Sequence, residues 1–191
     1  MACLDLETIA PDKQQIVCSR SFKRRLTDEK ELIDALTCFA QTTAEKLRHQ
    51  ESVAGSISVS IRTNPLSQTD AQYQRSGQMQ LKQPTNDTRH IVRIAKRLLK
   101  EIFKLGYRYQ KCSLQLGHIQ PETQRQQMDL FSVSEQSSDS SILMSTVDHI
   151  NHRFPKAIAI SAAGINNNWQ TPVNYLSPRY TTDWGSLPSV K

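Results

Sequence analysis

Residues 56–63 read "SISVSIRT". Ile57, Val59 and Ile61 alternate with Ser56, Ser58, Ser60 and Arg62, which is the period of two of a β-strand with one buried and one open face. Two longer stretches with a different period flank it. "TDEKELIDALTCFAQTTAEKLRHQ" (27–50) places Leu32, Leu36, Phe39, Thr43 and Leu47 at spacings of three and four, an amphipathic helix with Thr27 as the expected N-cap. "PTNDTRHIVRIAKRLLKEIFKLG" (84–106) does the same with Ile91, Ile94, Ala95, Leu98, Ile102 and Leu105, and Gly106 is the expected stop.

Outside the helices the strand signals return. "KQQIVCSRSF" (13–22), "QMQLK" (78–82) and "YRYQKCSLQLG" (107–117) complete the set, the last with Cys112, Leu114 and Leu116 on one face. "NPLSQTD" (64–70) is a loop. The order is β-α-β-β-α-β, which predicts an α+β fold: a four-stranded sheet with two helices on one face, of ferredoxin-like type.

The uncovered face then carries Ser56, Ser58, Ser60 and Arg62, with Gln78, Gln80, Lys82, Lys111, Ser113 and Gln115, and no acid. Short hydroxyls and amides let another molecule approach the sheet closely, and the cations suit a phosphate backbone held without base reading. No aromatic residues stand where RNA bases would stack. Charge distribution agrees: residues 16–119 hold 18 Lys and Arg against 9 Asp and Glu, while both flanks are near neutral or acidic. On residues alone, a merely solvated sheet face stays open as the alternative.

Other classes find little support. Cys3, Cys18, Cys38 and Cys112 are scattered with no CxxC pair, as expected of reduced thiols used as small apolar residues. His149 and His152 lack a third ligand at a suitable spacing, and no phosphate-cradling glycine loop or paired-carboxylate site occurs, so no metal, cofactor or catalytic residue is expected. There is no long apolar run and no basic leader, so neither a membrane nor a secretory signal is expected.

After Ile119 the sequence turns polar. "RQQMDLFSVSEQSSDSS" (125–141) sets Leu130 and Phe131 side by side among Ser, Gln and Asp. An adjacent apolar pair in such a setting suits a preformed pocket on a partner. Packing back onto the same chain is the alternative left open. The segment 141–191 adds a helix candidate and a tail with Trp169, Tyr175, Tyr180 and Trp184, read as a small docking segment.

"KQQIVCSRSF", "TAEKLRHQ", "IRTNPL", "PTNDTR", "GYRYQKCSLQLGHI", "QMDLF" and "LSPRYTTDW", in that order, resemble the C-terminal half of the UmuC-like Y-family translesion polymerases, the catalytic subunits of DNA polymerase V type. The resemblance covers nearly the whole chain. It implies that 1–15 is a linker remnant, 16–119 a little-finger DNA-binding domain, 120–140 a flexible linker with a clamp-binding motif, and 141–191 the family's tail. It implies DNA contacts from Ser19, Arg20, Ser21, Arg62 and Thr63; Lys23 and Arg24 add basic charge at the strand end, and with Lys82 and Lys111 of the open face they are expected to join those contacts. Gln127, Met128, Asp129, Leu130 and Phe131 match the Q-x-x-L-F peptide that docks on the β sliding clamp.

For the tail, the resemblance implies contact with the UmuD′ dimer or RecA, and for the whole a cytoplasmic role in SOS mutagenesis and DNA repair. Two departures stand out: Lys23 follows "SRSF" where the family usually has Gly, and Asp183 follows "SPRYTT" where a basic residue is usual. The palm, fingers and thumb would precede Met1, so the expectation is a fragment inactive as a polymerase by itself. The readings beside it are a truncated regulator competing for clamp or DNA, the non-functional product of a split gene, and a catalytic polymerase.

Overall fold

The computed structural model describes residues 12–124, 138–154, 157–159, Trp169 and Gly185. Strand β1 (Ile16–Leu26) leads into helix α1 (Glu29–His49), then β2 (Ser52–Thr63), β3 (Gln74–Thr85), α2 (Thr88–Ile102) and β4 (Tyr109–Pro121). A 3-10 turn (Glu122–Gln124) and a third helix, α3 (Ser138–Arg153), follow. The expected β-α-β-β-α-β order is present, as a four-stranded sheet in the order β1-β4-β2-β3. Every neighbouring pair is antiparallel. Helix α1 therefore carries the chain from β1 to β2 past β4, and α2 carries it from β3 to β4 past β2, two split crossovers.

The helices bury their stripes against one side of the sheet. Leu32, Leu36, Phe39, Thr43 and Leu47 of α1 meet Ile91, Ala95, Leu98 and Leu99 of α2 over a floor of Ile57, Val59, Ile61, Cys112, Leu114 and Leu116. Thr43 is tolerated in this layer because its hydroxyl donates to the Phe39 carbonyl at 2.9 Å. Burial pushes the Cys112 thiol up to about 12, which suits a structural side chain rather than a reactive one.

The helix boundaries differ from the sequence expectation at three points. The α1 cap is Asp28, not Thr27: its carboxylate accepts from the Lys30 N–H at 3.0 Å. Glu29 and Glu31 add favourable charge in the first turn. Pro84 does not open α2 but lies at the end of β3, and Asp87 caps the helix by accepting from Arg89 N–H at 2.8 Å. The helix stops at Ile102 because Phe103 turns extended. Leu105, expected on the buried stripe, is therefore 85% exposed, in a turn whose Gly106 has a φ of +92°.

Candidate nucleic-acid interface

The pairing registers assemble the open face into four rows, three of which cross all four strands. Ser21, Lys111, Arg62 and Gln74 form one row. Ser19, Ser113, Ser60 and Ser76 form the next. Val17, Gln115, Ser58 and Gln78 form the third, and Gly117, Ser56 and Gln80 the fourth. Alternation explains the arrangement on β2 and β4: each row residue there lies one step from a residue of the core floor, Ile57, Val59, Ile61, Cys112, Leu114 or Leu116. None of the row residues is acidic.

The charged row is the distinctive one. Arg62 and Lys111 are direct cross-strand neighbours, and like charges so placed repel. Neither makes an ion pair with any described residue, although other arginines of the domain do. Beside it runs a ladder of hydroxyls, in which Ser60 Oγ and Ser113 Oγ lie 2.6 Å apart. At the other end of the sheet the face dips into an open cavity of about 460 Å³, lined by Gln14, Gln15, Ser56, Gln78, Gln115 and their neighbours. There Gly117 lets Ser56 sit in the sheet surface, since a Cβ at position 117 would meet Ser56 Oγ at 2.9 Å.

Below the charged row, the partly and fully buried rings of Tyr73, Tyr107, Tyr109 and Phe103 cluster with centroids 4.6 to 6.5 Å apart. The Tyr109 hydroxyl accepts from Lys104 N–H at 3.0 Å and donates to the Lys104 carbonyl at 2.9 Å, and burial raises its pKa. Tyr109 pairs with Thr63, the next pair beyond Arg62–Lys111 across a register shift, so the row rests on a packed support.

The residues expected to touch a ligand fall into separate groups. Ser19, Ser21, Arg62 and Lys111 come together on the open face. Lys23 lies between Phe22, which is buried, and Arg24, which reaches α1, so it faces the open side. Lys82 is exposed and continues the alternation of Gln78 and Gln80.

Three do not join them. Arg20 stands opposite Cys112 and shares the helix side with Cys18 and Phe22, at the exposed sheet edge. Arg24 is ion-paired with Glu31 of α1. Thr63 is buried, and its hydroxyl accepts from the Tyr73 N–H at 2.9 Å, so its side chain is withdrawn from the face. Period two explains both Arg20 and Thr63: each is an even number of steps from a core residue.

Gln127, Met128, Asp129, Leu130 and Phe131 lie outside the described residues. Among the described residues no group of three or more His, Cys, Asp or Glu side chains could hold a metal ion, and no helix is long and apolar enough to cross a membrane.

Sequence reading missed two contributions. Gln74 and Ser76 extend the rows because β3 begins earlier than expected. Asp70, buried in the 64–73 loop, takes Arg25 of β1 on one oxygen and Arg108 on the other at 3.2 Å, tying that loop to the sheet end.

Comparison with known proteins places this geometry. Residues 13–130 match the impB/mucB/samB family C-terminal domain, and residues 141–190 match a domain of unknown function, DUF4113. Protein UmuC of Salmonella typhimurium strain LT2 is 37% identical over 190 residues, 99% of this chain and 45% of the relative. Protein MucB of Escherichia coli is 38% identical over 187 residues, 98% of this chain and 44% of the relative. This chain thus spans a little under half the length of the curated relatives it matches. Among solved structures, the insertion ternary complex of Dbh DNA polymerase aligns with a TM-score of 0.45 and 15% identity, over 59% of this chain and 31% of that one.

Proposed function

This chain belongs to the impB/mucB/samB family, matched through its C-terminal domain, and on that premise we propose that it is the DNA- and sliding-clamp-binding region of a Y-family translesion polymerase. Its sheet domain grips the sugar-phosphate backbone without reading sequence, while Gln127, Leu130 and Phe131 dock on the β clamp. The observation that carries the DNA reading is the Arg62–Lys111 pair, two adjacent cations with no acid among the described residues of their rows. An anion brought from outside would relieve their repulsion, and the serine ladder beside them supplies neutral donors for the same phosphate chain. Ser19, Ser21, Lys23, Arg62, Lys82 and Lys111 are the residues assigned to DNA. Arg20 and Arg24, turned to the helix side, contribute charge at the edge, and Thr63 contributes no side-chain contact.

Family membership supports a role in DNA repair and SOS mutagenesis, and supports the cytoplasm as its compartment. Contacts of the tail with the UmuD′ dimer and RecA belong to the same proposal and rest on the family alone.

The test is duplex binding followed by fluorescence anisotropy across salt concentrations. Each phosphate contact contributes roughly 0.9 to the slope of log affinity against log salt. Arg62→Ala with Lys111→Ala is expected to lower the slope by roughly 2, equally on unrelated sequences. An unchanged slope would remove the open face from the interface.

A further inference from the structure

Helix α2 turns a second charged surface away from the sheet. Its buried side carries Ile91, Ala95, Leu98 and Ile102. At about 3.6 residues per turn, the opposite side collects Arg89, Arg93, Lys96, Arg97 and Lys100. Arg89, at the head of this stripe, is held by the Asp87 cap and by Ser140. Glu101 is the one acid within the helix, and it reaches Arg97 at 3.6 Å with both side chains more than half exposed. Arg93, Lys96 and Lys100 form no ion pair with any described residue. Arg93 and Lys100 are exposed, and Lys96 is half-buried.

The contrast with α1 separates this stripe from an ordinary solvated helix face. Helix α1 has Glu29 and Glu31 in its first turn and Lys46, Arg48 and His49 in its last, as the helix dipole favours. Both signs occur along its length, with Lys30, Asp34 and Glu45 among them. Helix α2 departs from both patterns. Its first turn holds no acid, and Arg89 stands there instead. Arg89 with Arg93, Arg93 with Arg97 and Lys96 with Lys100 are like charges four residues apart, a spacing that destabilises a helix. Asp87 and Glu101 answer the two ends of the stripe, and its middle stays unanswered among the described residues.

We infer that this stripe is a second binding surface for duplex DNA, back to back with the open sheet face. From Arg89 to Lys100 it runs roughly 16 Å at about 1.5 Å per residue. Over that length each strand of a duplex presents a phosphate about every 3.4 Å of axis. A rigid helix with cations one turn apart thus meets a rigid row of anions, and neither partner has to be ordered first. No Phe, Tyr or Trp lies between Thr88 and Ile102, so the bases of a single strand find nothing to stack on. The duplex is therefore the occupant. The stripe and the Arg62–Lys111 row face opposite ways, so a straight duplex lying on one does not touch the other, and the domain takes two duplex segments. This surface goes beyond the sheet reading and stands without it.

Fluorescence anisotropy of the full chain with a short duplex at low salt tests the stripe, with the sheet face already weakened by Arg62→Ala and Lys111→Ala. In that background Arg93→Gln with Lys100→Gln is expected to lower the remaining affinity several-fold and the salt slope by roughly 2. Lys30→Gln with Lys46→Gln removes the same charge from exposed positions of α1 and is expected to change neither. Glutamine is about as good a helix former as lysine or arginine, and far-UV melting checks that each variant is folded. No residual duplex binding in the background, no loss from the α2 pair, an equal loss from the two pairs, or a loss seen only with an unpaired strand overturns the stripe. The sheet face is scored separately, by the slope change from Arg62→Ala and Lys111→Ala alone, so either surface can fail without the other.

Discussion

Arg62 of β2 stands directly across from Lys111 of β4, and among the described residues no carboxylate belongs to the rows of their face. An arrangement that costs the free protein stability is informative, because a small domain has only a few kcal/mol to spare. Lys111→Glu turns the repelling pair into an attracting one. The expected gain is about 1 kcal/mol, a rise of roughly 2–4 °C in Tm for a chain of this size. DNA affinity should fall in the same protein. Thermal melting and anisotropy on one sample check the opposed signs; a variant that loses both stability and binding would mean that Lys111 is a packing residue.

The fourth row makes a sharper packing claim. Gly117→Ala puts a methyl group 2.9 Å from Ser56 Oγ, in a setting where Ser56 is nearly enclosed. Overpacking of this kind costs about 1–3 kcal/mol. Ser56→Ala removes the obstructing oxygen, so the double variant should recover most of the loss. Urea melts of the two single variants and the double variant measure the coupling, which would be near zero if the strand simply shifted to make room.

The fold was legible because its core obeys two clean periods. Ile57, Val59 and Ile61 step by two, and Leu32, Leu36, Phe39, Thr43 and Leu47 step by three and four. β3 was read short because Ser76 and Gly77 interrupt the apolar alternation at its start, while backbone pairing to β2 continues through them. The same alternation that revealed the open face also excludes Thr63 and Arg20 from it, so a family motif carried residue by residue placed them on the wrong side. Asp70 was invisible for a different reason. Its partners Arg25 and Arg108 are far away in sequence, and only the folded sheet end brings them together.

The Asp87 cap predicts a specific acid response. Burial by itself would raise this carboxyl, but hydrogen bonds from the Arg89 guanidinium, the Ser140 hydroxyl and the Arg89 backbone outweigh it, and hold the group at about 2 instead of the ordinary 3.8. A depressed folded-state value means that the charged form stabilises the fold. That contribution is fully present above the ordinary value and is lost as pH falls through about 2. Asp87→Asn keeps a capping oxygen but cannot titrate. Its Tm should be lower than that of the parent at pH 5, and the gap should close by the lower end of the window. Parallel melting curves through that range provide the check; a gap that stays constant would show that Asp87 acts only as a neutral cap.

The proposed docking of Gln127, Leu130 and Phe131 on the clamp is expected to be separable from DNA binding by the sheet. Full burial of a leucine or phenylalanine side chain contributes about 1.5–3 kcal/mol, so Leu130→Ala with Phe131→Ala should weaken clamp binding at least ~100-fold. DNA affinity and its salt slope should be unchanged, because the open-face rows lie within residues 17–117. The reciprocal variant, Arg62→Ala with Lys111→Ala, should bind an immobilised clamp as well as the parent does. Measuring both ligands on both variants gives a crossed pattern if the two activities sit on separate parts of the chain. A clamp signal that survives loss of Leu130 and Phe131 but fails with Arg62 and Lys111 would reassign clamp recognition to the charged row, where an acidic surface could take the place of phosphate.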